Sequence, residues 1–157
     1  MAVVLRGLFD LLREVSQVTG KLKGVTFVKL KPLVHEPEGN VAKEVAAGAV
    51  ESTIIEQTAK VNEAFIIIFA YGSVDASGHG NENIVLNFIG PDEEPIAKFN
   101  SRILSIESDK PVIFNPAIVV EEGKTYKVNA TNKDTANPHS VLLQLWGFRL
   151  ETRPFRR

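Results

Sequence analysis

The chain has 157 residues, of which 44% are hydrophobic and 24% charged, with a formal net charge of −1 and no cysteine. This length supports one domain with its own core, and the missing cysteines exclude disulfides, thiolate zinc ligands and cysteine nucleophiles. The near-neutral balance predicts no specific nucleic-acid recognition. We expect a soluble protein made inside a cell, because no segment reaches the roughly 18 apolar residues of a membrane span and the charged N-terminus is unlike a signal peptide.

Residues 2–19 predict an amphipathic helix, ended by Gly20, within an N-terminal arm over residues 1–24. Its apolar residues recur at helical spacing and form one stripe: Leu5, Leu8, Phe9, Leu12 and Val15. Three uses of this helix are open, namely packing on its own domain, binding a neighbouring subunit or lying on a membrane surface. The membrane use is the least favoured, because the polar face mixes acids with bases.

From Val25 onward, turn residues separate short apolar or alternating segments, which is typical of β structure. Val25–Val34 is a predicted strand in which Pro32 indicates a sheet edge. Ala64–Tyr71 is apolar throughout and predicts a central strand buried on both faces. Residues 41–49 fit a helical turn or a strand, and Tyr71–Asn83 is the longest polar loop. Further strands are expected near residues 50–58, 83–89, 96–99, 102–107 and 111–114.

The last third of the chain predicts two strands joined by a turn. Lys124–Thr131 alternates in polarity, Asn132–Pro138 has turn chemistry, and Ser140–Glu151 is a long apolar run with the only tryptophan. This pattern predicts an antiparallel hairpin, entered through a turn at residues 121–124. In total we expect an all-β antiparallel sandwich or jelly roll of about eight strands over residues 25–151, followed by a basic tail over residues 152–157.

The final strand is apolar on both faces, with Trp146 and Phe148 at alternate positions. Either it is a central strand that contacts the core on one side and the helix on the other, or its outward residues form a subunit interface.

Charge is concentrated at both ends of the chain. Residues 1–31 hold six basic and two acidic side chains, and residues 149–157 hold four basic and one acidic. The ends, including Arg153, Arg156 and Arg157, are either solvated tails or docking elements. Their docking partner would be a polyanion or acidic segments of a neighbouring subunit, such as Asp92–Glu94.

The sequence predicts no catalytic residues, metal ligands or cofactor. Asp134, His139 and Ser140 have the residue types of a hydrolase triad, but Ser140 opens a strand and adjacent strand side chains point to opposite faces. The pairs His35–Glu36 and Asp75–His79 lack the spacing of a metal motif.

The chain resembles small β-sandwich structural proteins of viruses and phages. The features that it shares with them are an N-terminal arm, a compact sandwich, a basic tail and the turn-rich ending from Glu121 to Glu151. The resemblance is to proteins of the capsid, decoration or tail-associated type, and it covers about residues 50–151. It implies a homo-oligomer that assembles with other virion proteins, is made in the host cytoplasm and resides in the virion. The residues expected at the interfaces are Leu5, Leu8, Phe9, Leu12, Trp146, Phe148, Arg153, Arg156 and Arg157.

The alternative function is a carbohydrate-binding, lectin-like sandwich. It would use the loop Tyr71–Asn83, with Tyr71 stacking on a sugar ring and Asp75 as a polar contact.

Overall fold

The computed structural model describes residues 25–38, 41–76, 78–104 and 111–154. The predicted N-terminal helix, with Leu5, Leu8, Phe9 and Leu12, lies outside the described residues. So do Arg156 and Arg157.

The described chain consists of nine strands and one short 3-10 turn, Ser101–Ile103. The predicted all-β class with antiparallel sheets is therefore confirmed. The strands are Val25–His35 (β1), Lys43–Val45 (β2), Ser52–Thr58 (β3), Glu63–Val74 (β4), Ile84–Ile89 (β5), Pro95–Asn100 (β6), Val112–Val120 (β7), Thr125–Asn132 (β8) and His139–Pro154 (β9).

The strands form two sheets. The five-stranded sheet has the order β1-β9-β4-β7, with β2 paired to the other part of β9, and the four-stranded sheet has the order β3-β8-β5-β6. Among the described strands, β5 and β6 are the only chain neighbours that pair with each other. From β3 onward, all connections except the one between β5 and β6 pass from one sheet to the other.

The predicted hairpin between the last two strands is wrong. β8 pairs with β3 and β5, whereas β9 pairs with β1, β2 and β4 in the opposite sheet. The turn between β8 and β9 reverses the chain as expected, but the chain also crosses from one sheet to the other at this turn. Turn residues determine that a chain reverses, while the partner of each strand depends on side chains far away in sequence.

The core lies between the sheets, and the central strands β4 and β9 supply much of it. Along β9, Val141, Leu143 and Leu145 are 0% exposed, and they pack with residues of the opposite sheet such as Phe88 and Val128. The prediction of a central strand at residues 64–71 is confirmed, since β4 lies between β9 and β7. Pro32 lies in β1 at a sheet edge, also as predicted.

Several predicted boundaries differ from the structure. Residues 101–103 form a 3-10 turn instead of a strand, because the Asn100 side chain accepts a hydrogen bond from the Arg102 amide and caps the turn. β4 continues to Val74, which shortens the loop predicted from Tyr71. β7 passes through a cis Asn115–Pro116 bond, and β9 runs to Pro154, beyond the boundary expected at residue 151.

Candidate interaction surface

The outer face of the four-stranded sheet is polar. Its outward positions carry mostly hydroxyl, amide and charged side chains, with Lys127 paired to Glu56 at 3.4 Å. Such a face is compatible with solvent. The polar residues on it are Thr53, Glu56, Thr58, Asn87, Lys98, Asn100, Thr125, Lys127, Asn129 and Thr131.

The outer face of the five-stranded sheet is apolar instead. Val34 of β1, Trp146 of β9, Phe69 of β4 and Ile113 of β7 lie opposite one another and form one row across four strands. We call these four residues, together with Tyr71, the aromatic band. The exposed fractions are 40% for Val34, 36% for Trp146 and 66% for Ile113. Contact surfaces often carry a row of large apolar side chains that reaches solvent, so this face is the candidate interaction surface.

Ring packing holds the centre of the aromatic band in one arrangement. The Phe69 ring stacks on Trp146, with centroids 5.9 Å apart and planes 13° apart. Tyr71 meets Phe69 edge-on at 5.4 Å. Both geometries are favourable for aromatic pairs, so the band is preorganised before any partner binds.

A second apolar group lies on the same face, nearer the start of β1. Ala64, Ile66 and Leu150 form a cluster separate from the main core, and Ile68, Ala117 and Val119 pack against it. We call these six residues the aliphatic cluster. Phe148 lies directly opposite Ile66 and links this cluster to the aromatic band.

Of the predicted interface residues, Trp146 and Phe148 fall on this surface, because both occupy outward positions of β9. The backbone of Arg153 lies in β9 opposite Phe27. Their role in an interface stays a prediction. Sequence reasoning missed Phe69 and Ile113, because the apolar run around Phe69 predicts burial on both faces and Ile113 is one residue in a short apolar segment.

At the end of the sandwich where β4 and β8 finish, His139 joins two loops. Its Nδ1 lies 2.6 Å from Asp75 Oδ2, and its Nε2 lies 3.5 Å from Asp134 Oδ2. The other Asp75 oxygen accepts a hydrogen bond from the Ser140 amide at 2.9 Å. Hydrogen bonds from the Asn137 side chain and from the Ala136 and Asn137 amides lower the pKa of Asp134 to about 2. The arrangement fastens the two loops together.

This cluster does not complete a hydrolase triad. Asp134 and His139 meet, but Ser140 follows His139 in an extended strand, so its side chain points to the other face. What Ser140 supplies to the cluster is its backbone N–H. Among the described residues, no group of three His, Cys, Asp or Glu side chains could hold a metal ion.

His35 is half-buried inside the sandwich, at the end of β1. Its Nδ1 lies 2.5 Å from the Tyr126 hydroxyl, and its ring meets Phe65 edge-on at 4.8 Å. Burial, together with the nearby Arg149 charge, lowers the pKa of His35 to about 4, while burial raises the pKa of Tyr126. At neutral pH the imidazole is therefore uncharged, and its Nδ1 shares a hydrogen bond with the tyrosine hydroxyl.

We expect mild acid to destabilise the fold through His35. Between its unfolded pKa of 6.5 and its folded pKa of about 4, the unfolded chain binds a proton that the folded chain does not, so stability falls as pH falls through this range. The expected loss is about 1–2 kcal/mol, discounted for the partial exposure of the ring.

The measurement is urea unfolding at pH 7 and pH 4.5, with His35→Gln as the comparison. The glutamine amide can still hydrogen-bond with the Tyr126 hydroxyl but cannot titrate, so the variant is expected to lose less stability in acid than the original protein. Equal losses in both proteins would contradict the role given to His35.

No helix in the described part of the chain is long and apolar enough to cross a membrane.

Comparison with known proteins found no matching family model and no matching curated protein. Among solved structures, the capsid of Helicobacter pylori bacteriophage KHP30 is similar over 77% of this chain and 93% of that one, at 9% identity and a TM-score of 0.42. The VP2 subviral particle of infectious bursal disease virus is similar at 12% identity and a TM-score of 0.36. A serine protease of Aeromonas sobria is similar at 11% identity and a TM-score of 0.38.

This chain spans 42% of the VP2 chain and 29% of the protease chain. Capsid structures of a phage and of a virus are thus among the solved structures that this chain resembles. At these identities and TM-scores the resemblance carries no argument about this chain.

Proposed function

We propose that the chain is a jelly-roll structural protein, of the kind that builds virions, and that it acts by self-assembly. The strand orders β1-β9-β4-β7 and β3-β8-β5-β6 support the jelly roll, in which eight strands alternate between two sheets. Because one fold hosts many functions, the assembly part of the proposal is argued from the surface.

The aromatic band is the observation that carries the proposal. One outer face of the sandwich is polar, whereas the other presents a preorganised row of aromatic and branched side chains to solvent. The occupant we propose is the aromatic band of a second copy, since two flat apolar rows can pack against each other without burying a charge. An interface of standard size buries about 1,600 Å² in total, so the contact would extend from the band onto Phe148.

Light scattering at rising protein concentration tests this proposal. We expect an oligomer, and we expect Ile113→Asp to return the mass to that of the 17.3 kDa monomer, because a carboxylate in the band cannot be buried unpaired. Ile113 is 66% exposed, so the substitution is expected to leave the fold intact.

The matched control is Ile103→Asp, which makes the same change at a residue that is 55% exposed and outside the band. It is expected to keep the oligomer. A monomer at every concentration, or an equal effect of both substitutions, would refute assembly through this face.

The carbohydrate-binding alternative receives less support. Tyr71 is engaged in the aromatic band, and both carboxylate oxygens of Asp75 bind within the chain. The two residues are four positions apart, about 13 Å along an extended strand, so they do not form one platform.

A further inference from the structure

The aliphatic cluster is more deeply buried than its place in the sheet explains. Ile66 and Leu150 are 0% exposed and Ala64 is 1% exposed. Yet all three lie on the outer face, because their strand neighbours Phe65 and Ile67 point into the main core. Neighbours in the same sheet flank an outward side chain without covering its outer atoms, so full exclusion of water requires a layer above it.

Neither sheet supplies that layer. Within the described ranges the nine strands form only two sheets, and the four-stranded sheet packs on the inner face. The cover must come from elsewhere in the chain or from another molecule.

The N-terminal segment leads into β1, the strand that pairs with β9 beside the cluster. β1 starts at Val25, and within it Leu30 lies opposite Leu150, which in turn lies opposite Ala64. The cluster is thus one to three strands away from β1, or roughly 5–15 Å, and Leu30 lies about 17 Å along β1 from Val25. The 24 residues before β1 would be about 36 Å long as a helix, which is enough to cross these strands.

We propose that residues 1–24 lie over the aliphatic cluster of their own chain and cover it with the stripe Leu5, Leu8, Phe9 and Leu12. The stripe has the chemistry that the cluster requires, since the cluster is aliphatic, the stripe consists of three leucines and Phe9, and neither contains a charge. The aromatic band on the same face stays exposed to a second copy. This inference does not rest on the assembly proposed above.

Paired cysteines in the full-length, naturally cysteine-free chain test the proposal. Ala117 is half-buried against the cluster, so Leu8→Cys with Ala117→Cys is expected to form an intramolecular disulfide under mild oxidation. A second pair, Leu12→Cys with Ile68→Cys, covers the chance that one pair has unsuitable geometry. The control is Leu8→Cys with Thr131→Cys, on the polar outer face of the other sheet.

All pairs are made in the Ile113→Asp background at low concentration, so that self-assembly does not produce links between copies. We expect at least one cluster pair to close about ten-fold or more faster than the control, measured by loss of free thiol and by faster migration of the monomer in a non-reducing gel. Equal rates for all pairs, or links only between copies, would overturn the proposal while leaving the assembly test unaffected.

Discussion

Replacing Gly147 with alanine is expected to destabilise the protein more than any other single-methyl addition in β9. A Cβ at this position would lie 1.9 Å from the carbonyl oxygen of Ile66 and 2.9 Å from the Ile67 Cα. Both are backbone atoms of β4, so no side chain can rotate away and the two central strands would have to separate. We expect a loss of about 3 kcal/mol or more.

Thermal unfolding followed by circular dichroism measures this effect. For a domain of this size the midpoint should fall by about 10 °C. Gly123→Ala is the control, since nothing lies within 4 Å of its Cβ position and only its positive φ of 75° opposes a side chain. That substitution is expected to cost about 1–2 kcal/mol. If both substitutions lowered the free energy of unfolding equally, the role given to the close approach of β9 to β4 at Gly147 would be wrong.

Replacing Asn132 with alanine is expected to cost a similar amount for a different reason. Asn132 is 2% exposed, and its Nδ2 donates to the carbonyl oxygens of Val45, Ala46 and Asn137 at 3.3, 3.2 and 2.9 Å. Its Oδ1 accepts from the Asp134 amide at 2.9 Å. Alanine would remove all four hydrogen bonds, including the one to the buried Val45 carbonyl, and each lost bond costs about 0.5–1.5 kcal/mol, so we expect a loss of about 3 kcal/mol.

Urea unfolding of Asn132→Ala measures the loss, and Thr131→Ala, the neighbouring half-buried residue of β8, is the control. Asn132→Asp adds a sharper comparison, because it keeps the size of the side chain but turns an oxygen toward the three carbonyl groups. We expect the aspartate to be no better than the alanine. Stability close to that of the original protein in Asn132→Asp would show that the amide donor is unimportant.

The two outer faces of the sandwich relate the fold to its proposed use. A free monomer gains nothing from placing Trp146 and Ile113 in water, and the chain shows with Lys127 and Asn129 that it can build a polar face. The same sheet carries a fully buried aliphatic cluster beside the exposed aromatic band. We therefore infer that its two halves serve different contacts, one within the chain and one between copies.

The candidate surface could be predicted only in part. Trp146 and Phe148 alternate in a strand whose other positions are also apolar. This pattern indicated that each face of the strand is buried in the core or in contact with the helix or another subunit. The row that joins Trp146 to Val34, Phe69 and Ile113 could not be predicted, because it depends on the register of strands up to 112 residues apart. A bulge between Ile67 and Phe69 changes which residues face outward, and no local pattern marks it.

The sequence by itself determined the β class, the central position of residues 64–71 and the edge position of Pro32, because strand periodicity, continuous apolarity and the missing proline amide act over a few residues. Only the tertiary structure decided that β8 and β9 lie in different sheets. It also decided that His139 meets Asp75 and Asp134, and that one outer face is apolar. A turn reverses the chain whether the next strand pairs alongside or stacks across the core, and that choice depends on which distant side chains bury the most apolar area together.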